Sequence, residues 1–435
     1  MFRNRNHLII FGIWLGWALV MISYQIFVPA RLTIKTPDYA LNWTATETKP
    51  GSQKDKLYLN EKFLNRHVSW DSEFYLAIAV GGYEDPNIRR INSQIGASTG
   101  PSYWPFVIPA SAQAIPGISL SYAFFPFYPL MMRLLAIPLS LIGMNQIATA
   151  TLSGVIVSML GTLAAMLALY EFAKDEIDEA NGIRAAFYLL IFPSGFFLAE
   201  IYTEGLFVGL AFTSLLLIRR KQFVWAALLA VFATFTRAVG VTLVIPLFLA
   251  WIKEGEWMEL DMEWKQIFYR GIPWRIVLKG LIVFAPLIAF LVWRISYYGL
   301  AFSHVEEEFF GRGTLAFGNS YISWSEGFKA MFANNKNAAA YYFVEWLGIV
   351  IGFIACIAEF KRHPDLAIFG FLVVFLSFTS GPAQGMYRYV LAAPPVFLYL
   401  SRQGKNPVFD KVWTLVSVLL MGVMCTMYMF DMWAG

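Results

Sequence analysis

Charge is what this chain has least of. Lysine, arginine, aspartate and glutamate make up 14% of its 435 residues, where a soluble domain carries about 25%. With 58% of residues hydrophobic and a mean hydropathy of +0.56, the chain cannot cover its own surface in water. Its natural solvent is lipid. Cysteine is almost absent: Cys356 and Cys425 both fall inside apolar blocks, which leaves no disulfide framework and no cysteine-ligated metal. The four histidines have no metal-ligand spacing, and there is no Asp-x-Asp pair, glycine-rich phosphate loop or serine nucleophile elbow. A net charge of +4, spread over loops, does not imply nucleic acid.

What the chain has in quantity is long apolar runs. A bilayer core of about 30 Å needs roughly 20 apolar helical residues. His7 to Pro29 supplies the first such run, too long and aromatic for a cleaved signal segment. Further candidate spans cover 123–143, 147–171, 184–199, 201–218, 223–236, 239–252, 275–297, 341–359, 366–380, 387–400 and 411–434. They predict an all-α polytopic membrane protein of about 11 transmembrane helices, built as one membrane-embedded domain over 1–435.

Basic residues in short loops mark the cytoplasmic side. Arg3 and Arg5, Arg219 to Lys221, Lys361 with Arg362, and Arg402 with Lys405 all serve as anchors, as does the stretch Lys253 to Arg275 with Lys265 and Arg270. They send two large loops, 30–122 and 298–340, to the opposite side. Simple alternation then fails once. If 123–143, 147–171 and 184–199 all cross, Arg219 to Lys221 land on the wrong face. One of the three must not cross: the first carries Pro126, Pro129, Pro138 and Arg133, and the third carries Pro193 and Gly195.

The first loop is too long for a connector and too aromatic for disorder, with Trp43, Trp70 and Trp104. Within it, Phe63, His67, Trp70, Phe74 and Ile78 share one face at helical spacing, predicting an interfacial helix over Glu61 to Val80. Asp71 would sit mid-helix among aromatics at the bilayer edge, where lost solvation makes a carboxylate a better base. His67, one turn earlier, could pair with it. A lone Asp on such a helix is ordinarily just solvated.

Other groups stand out more weakly. Phe192-Pro193-Ser194-Gly195 interrupts an apolar helix beside Glu200 and Glu204, and acidic residues at membrane depth are functional-site candidates. Arg237 ends one span and Arg388 begins another, both against the positive-inside trend. A guanidinium there suits a lipid phosphate, although snorkelling at a helix end is the plainer explanation. Glu306 to Glu308 reads as a solvated charge run.

Together these segments resemble a known family. Trp70-Asp71-x-x-x-Tyr75 with Gly82-Tyr83, Ala123-Phe124-Phe125-Pro126-x-Tyr128-Pro129, Phe192-Pro193-Ser194 with Tyr202-Thr203-Glu204, Thr236-Arg237 and Arg388-Tyr389 occur in the order seen in PIG-V-like mannosyltransferases, the GPI mannosyltransferase 2 family and its bacterial relatives. The resemblance implies a GT-C glycosyltransferase with its site on the extracytoplasmic face; the compact loops and modest length point to a bacterial inner membrane rather than the endoplasmic reticulum. It implies a polyprenyl- or dolichyl-phosphate sugar donor, a glycan or glycolipid acceptor, and neither metal nor other cofactor. Asp71 carries over as the catalytic base. Trp70, Tyr75, Tyr83, Tyr202 and Glu204 carry over as site-lining residues, and Arg237 and Arg388 as ligands of the donor phosphate. Ala238 stands where relatives usually have proline. A transporter or flippase of lipid-linked glycans is the rival, although no internal repeat of the transporter kind is present.

Overall fold

The computed structural model describes residues 5–34, 37–92, 117–254 and 274–435. Arg3, Trp104, Lys265 and Arg270 therefore lie outside the described residues. Most of what is described is helix; the strand structure among the described residues consists of Arg90–Ile91 paired antiparallel with Ile118–Ser119.

Helix α1 spans Arg5–Arg31. The first loop contains the single turn α2 (Thr44–Glu47) and the longer α3 (Ser72–Val80). A tightly packed group follows: α4 (Phe127–Leu139), α5 (Gln146–Glu176), α6 (Glu179–Ile191), α7 (Glu204–Arg219), α8 (Phe223–Thr234) and α9 (Val244–Lys253). After α10 (Trp274–Ile295), the second loop folds as α11 (Tyr297–Glu308) and α12 (Phe317–Met331). The chain closes with α13 (Lys336–Glu359), α14 (Pro364–Phe378), the one-turn α15 (Met386–Tyr389), α16 (Pro394–Gln403) and α17 (Pro407–Met429).

Five of these helices, α1, α5, α10, α13 and α17, are long and apolar enough to cross a membrane. Their outward faces carry large apolar side chains such as Phe27, Val292, Ile357 and Leu419, as lipid contact requires. This is an integral membrane protein. The shorter apolar stretches are composites. The expected span 184–199 is α6, broken at Pro193 and continued by a 3-10 turn over Gly195–Ala199. The expected span 239–252 is a 3-10 segment, Ala238–Leu243, leading into α9. At the centre, α5 and α7 pack backbone to backbone. A Cβ on Gly161 would strike the carbonyl of Gly205, and one on Gly209 would strike that of Gly161. Small residues four apart allow this approach in lipid, where dispersion drives helix association.

The failed alternation is resolved at α4. Its first residue, Phe127, donates its backbone N–H to Phe235 O at 2.9 Å. Asn145, just beyond its far end, donates to Glu61 of the first loop at 3.0 Å. Both ends thus touch the same end of the bundle, and 13 residues reach only about 20 Å. Leu130, Leu134, Ile137 and Leu141 point outward, the pattern of a helix lying along an interface. Segment 123–143 is the one that does not cross. The other end of α5 belongs to a separate ion network. Arg220 pairs with Glu171 at 2.9 Å, Arg219 with Asp365 at 2.8 Å, and Arg402 with Glu359 at 2.8 Å.

The expected helix over Glu61 to Val80 is not continuous. Leu64 and Trp70 have φ of 52° and 53°, which bulky L-residues adopt only under strain. The Asn65 side chain donates to Leu59 O and Glu61 O, a local alternative to helical bonding. Only Ser72–Val80 is α-helical, so Asp71 stands at its N-cap and not mid-helix.

Candidate active site

An aspartate at an N-cap normally accepts a hydrogen bond from the first helical turn. Asp71 does not; its side chain makes no capping bond and turns toward Arg388, whose Nη1 lies 3.3 Å from Oδ2. Its backbone N–H donates to the Tyr202 hydroxyl at 3.2 Å, and that hydroxyl donates to Ser69 O at 3.2 Å. Tyr202 therefore fixes the strained turn Ser69-Trp70-Asp71 from both sides. Burial raises the Asp71 carboxyl above its usual range, and the Arg388 guanidinium pulls in the other direction without cancelling the rise.

Arg388 and Arg237 come from segments far apart in sequence and meet at Glu204, on the first residue of α7. Arg388 Nε lies 3.1 Å from Glu204 Oε1, and Arg237 makes a short contact with the same oxygen. A buried carboxylate paired with two guanidinium groups holds both in place, where alone either charge would be costly. Arg237, Arg388 and a third arginine, Arg312, surround the Tyr389 ring at 4.6, 5.2 and 5.6 Å from its centroid, within cation–π range. Arg312 sits between Gly311 and Gly313 in the second loop and donates to Ser380 Oγ at 3.2 Å and Gln384 O at 3.1 Å. Among the described residues it has no carboxylate partner within ion-pair distance, unlike the other two.

The one-turn α15 that presents Arg388 is held by Glu345 of α13. This fully buried carboxylate accepts from Gly385 N at 2.6 Å, from Tyr387 N at 2.8 Å and from the Tyr341 hydroxyl at 2.6 Å. Gly385, at φ 75°, supplies the left-handed step into the turn.

These groups line one cavity of about 1440 Å³ between the first loop, the second loop and the bundle. Trp70, Asp71, Tyr75, Tyr202, Glu204, Arg237 and Arg388 all line it, so most of the residues singled out in the sequence come together. Tyr83 is elsewhere: its ring stacks on Tyr122 at 4.9 Å, and its hydroxyl donates to Phe124 O at 2.7 Å. His67 does not pair with Asp71; its Nδ1 faces Glu200 at 3.0 Å. Glu200 in turn accepts from Gln25 at 2.5 Å and takes no part in the cavity. The turn between Leu64 and Trp70 rotates His67 off the face that a continuous helix would have given it.

Arg312 and Glu306 are among the cavity residues that the sequence does not single out. Arg312 had only its glycine neighbours as a signal, an isolated cation in a Gly-Arg-Gly turn. Glu306 was read as a solvated charge, yet it lines the cavity. Burial pushes its carboxyl up to about 7, opposed by Arg312 and reinforced by Asp71. At the far end of the bundle, Glu176, Glu359 and His363 come close enough to hold an ion. Arg402 already donates to both carboxylates, at 3.4 and 2.8 Å, so the cluster is charge-balanced by protein.

No known family profile and no curated protein matches the chain. Among solved structures it is similar to the Archaeoglobus fulgidus oligosaccharyltransferase in its apo form, at 12% identity over 100% of this chain and 57% of that one, with a TM-score of 0.44. It is also similar to the oligosaccharyltransferase AglB from that archaeon in complex with an inhibitory peptide and a dolichol-phosphate, at 14% identity over 99% and 56%, with a TM-score of 0.42. The chain spans a little over half the length of these structures.

Proposed function

We propose that the chain is an inverting GT-C membrane glycosyltransferase. It moves a sugar from a polyprenyl- or dolichyl-phosphate carrier to a hydroxyl of a glycan or glycolipid, and the family resemblance implies mannose. The supporting observation is the meeting of Asp71 with Arg237, Arg312 and Arg388 in one cavity at one end of a lipid-facing bundle. A carboxylate free of capping duty can take the proton of the attacking hydroxyl. The acceptor oxygen then bonds to the anomeric carbon, and the bond from that carbon to the phosphate oxygen breaks, leaving its electron pair on the phosphate. Guanidinium groups suit that developing charge, because they bind phosphate through paired, charge-assisted hydrogen bonds. Glu204 keeps two of them in position before substrate arrives.

Sidedness follows from the basic residues at the opposite end. Arg219, Arg220, Lys221, Arg362, Arg402 and Lys405 gather there, which supports a cytoplasmic position for that end and an extracytoplasmic one for the cavity; the proposal of a bacterial inner membrane rests on the compact loops and modest length alone.

The test is sugar transfer by purified protein from synthetic polyprenyl-phosphate-mannose, wild type against Asp71→Asn. Full activity in the variant would remove Asp71 as the base. No release of polyprenyl phosphate with any acceptor would favour a transporter or flippase of lipid-linked glycans.

A further inference from the structure

The cavity has two chemically distinct walls, and only the arginine wall has a role so far. The other is built by the first loop and the chain's last residues. Trp43, Trp70 and Trp433 meet there with ring centroids 5.0 to 5.6 Å apart and interplanar angles of 74° to 85°. Three rings at near right angles, each edge against a neighbour's face, form a rigid corner. Trp433 is pinned by its backbone N–H to Asp38 Oδ2 and by its indole N–H to the Tyr341 hydroxyl, both at 2.9 Å. All three tryptophans line the cavity, and so do Gln53 and Glu73.

Two polar atoms of this wall are buried without a partner: the indole N–H of Trp70 and Oε1 of Gln53. The Gln53 amide also hydrogen-bonds Asp431, which orients its N–H₂ there and its carbonyl oxygen away. Buried polar groups are rarely left unsatisfied in native structures. Here one donor and one acceptor remain beside an aromatic corner, next in sequence to the carboxylate Asp71. A ligand for this wall needs an apolar C–H face for the rings and hydroxyls that both donate and accept. A pyranose has both on one small ring. A prenyl chain offers no hydrogen bonds, and a phosphate on this wall would meet Glu73 and, among the described residues, no cation beyond Lys56, which Glu47 already engages at 2.7 Å.

We infer that the corner of Trp43, Trp70 and Trp433, with Gln53, is a saccharide-binding subsite that holds the acceptor sugar against Asp71. That the bound sugar is the acceptor rests on the proposed transferase function; that the corner binds a sugar does not. In this arrangement the indole N–H of Trp70 donates to a sugar hydroxyl, and Gln53 Oε1 accepts from another. The strained φ of Trp70 sets both its ring and the Asp71 carboxylate toward the same space. Donor phosphate and acceptor sugar would then approach Asp71 from opposite walls.

The test is saturation-transfer NMR with methyl glycosides of mannose, glucose and N-acetylglucosamine on detergent-purified protein. Wild type, Asp71→Asn, Trp43→Ala and Gln53→Ala are compared, with thermal melting to establish that each is folded. We expect binding of at least one glycoside to wild type and Asp71→Asn, weakened about tenfold or more by Trp43→Ala and by Gln53→Ala, a loss of about 1.4 kcal/mol. Absence of binding to wild type, or equal binding by folded Trp43→Ala and Gln53→Ala, overturns the subsite. A parallel assay of polyprenyl-phosphate-mannose turnover separates the two readings. Glycoside binding without any prenyl phosphate release keeps the subsite and removes the transferase. Turnover stimulated by a hydroxyl-bearing peptide but by no glycoside does the reverse.

Discussion

Arg388 and Asp71, 317 positions apart in sequence, lie 3.3 Å from each other at the junction of the two cavity walls. The contact is an ion pair with uneven partners. Among the described residues Asp71 has one ion-pair partner, Arg388, whereas Arg388 is shared with Glu204. A phosphate that draws Arg388 toward itself therefore loosens its hold on Asp71, leaving a more basic carboxylate when donor is bound.

Replacing Asp71 by Asn keeps the shape of the turn and removes the proton acceptor. Sugar transfer should fall by about 10²- to 10⁴-fold, measured as prenyl phosphate release, with donor binding retained.

The acid limb of the pH–rate profile should report Asp71. Its pKa is raised by burial, and the base must be ionised, so kcat/KM should fall with decreasing pH at a point above the ordinary aspartate value of about 3.9. Arg388→Gln removes the cation that favours the ionised form, so the acid limb should move to higher pH. A limb that stays in place would disconnect Arg388 from the titrating group.

Among the described residues Arg312 has no carboxylate at ion-pair distance to release before it can bind an anion. Arg312→Ala should raise the KM for a phosphate-linked donor by about tenfold to a hundredfold, the loss of one charge-assisted contact of about 1.5–3 kcal/mol. An unchanged donor KM would assign the phosphate to Arg237 and Arg388 alone.

Glu345→Gln places an amide N–H₂ where backbone N–H groups now donate. The turn before Arg388 should loosen, at a cost of about 1.5–3 kcal/mol for hydrogen bonds to a charged group. Circular dichroism should show unchanged helix content beside a reduced kcat, because the change is local to Gly385–Tyr389.

Gly161→Leu inserts a side chain where α5 and α7 touch backbone to backbone. Overpacking of this kind costs about 1–3 kcal/mol or more, read as a lower melting temperature in detergent for the whole bundle.

Much of the site could be read before the fold. Asp71, Glu204, Arg237 and Arg388 are each out of place for a lipid-facing chain, because polar residues at membrane depth need partners, whereas Tyr202 comes only from the family resemblance. What could not be read was their partnership. Glu204 joins two arginines through side-chain reach across three segments, which no spacing rule encodes. The helix over Glu61 to Val80 failed because periodicity does not register the positive φ at Leu64 and Trp70. For the same reason helical spacing offers His67 to Asp71, while the fold gives it to Glu200. Arg312 and Glu306 escaped because a charged loop residue looks solvated until the loop folds back over a cavity. The crossing problem was visible as a parity error, and only the contacts at the two ends of α4 identified the segment responsible.

That helix has one further consequence. Arg133 of α4 donates to Ile78 O and Ala79 O, at 2.9 and 2.8 Å, the last carbonyls of the helix that Asp71 begins. A short helix that packs alongside α5 is thus fastened to the tail of the helix that Asp71 begins. Asp71 and α4 then move as one piece, so that, on the proposed function, whatever seats α4 against lipid also sets where the carboxylate meets a lipid-borne carrier.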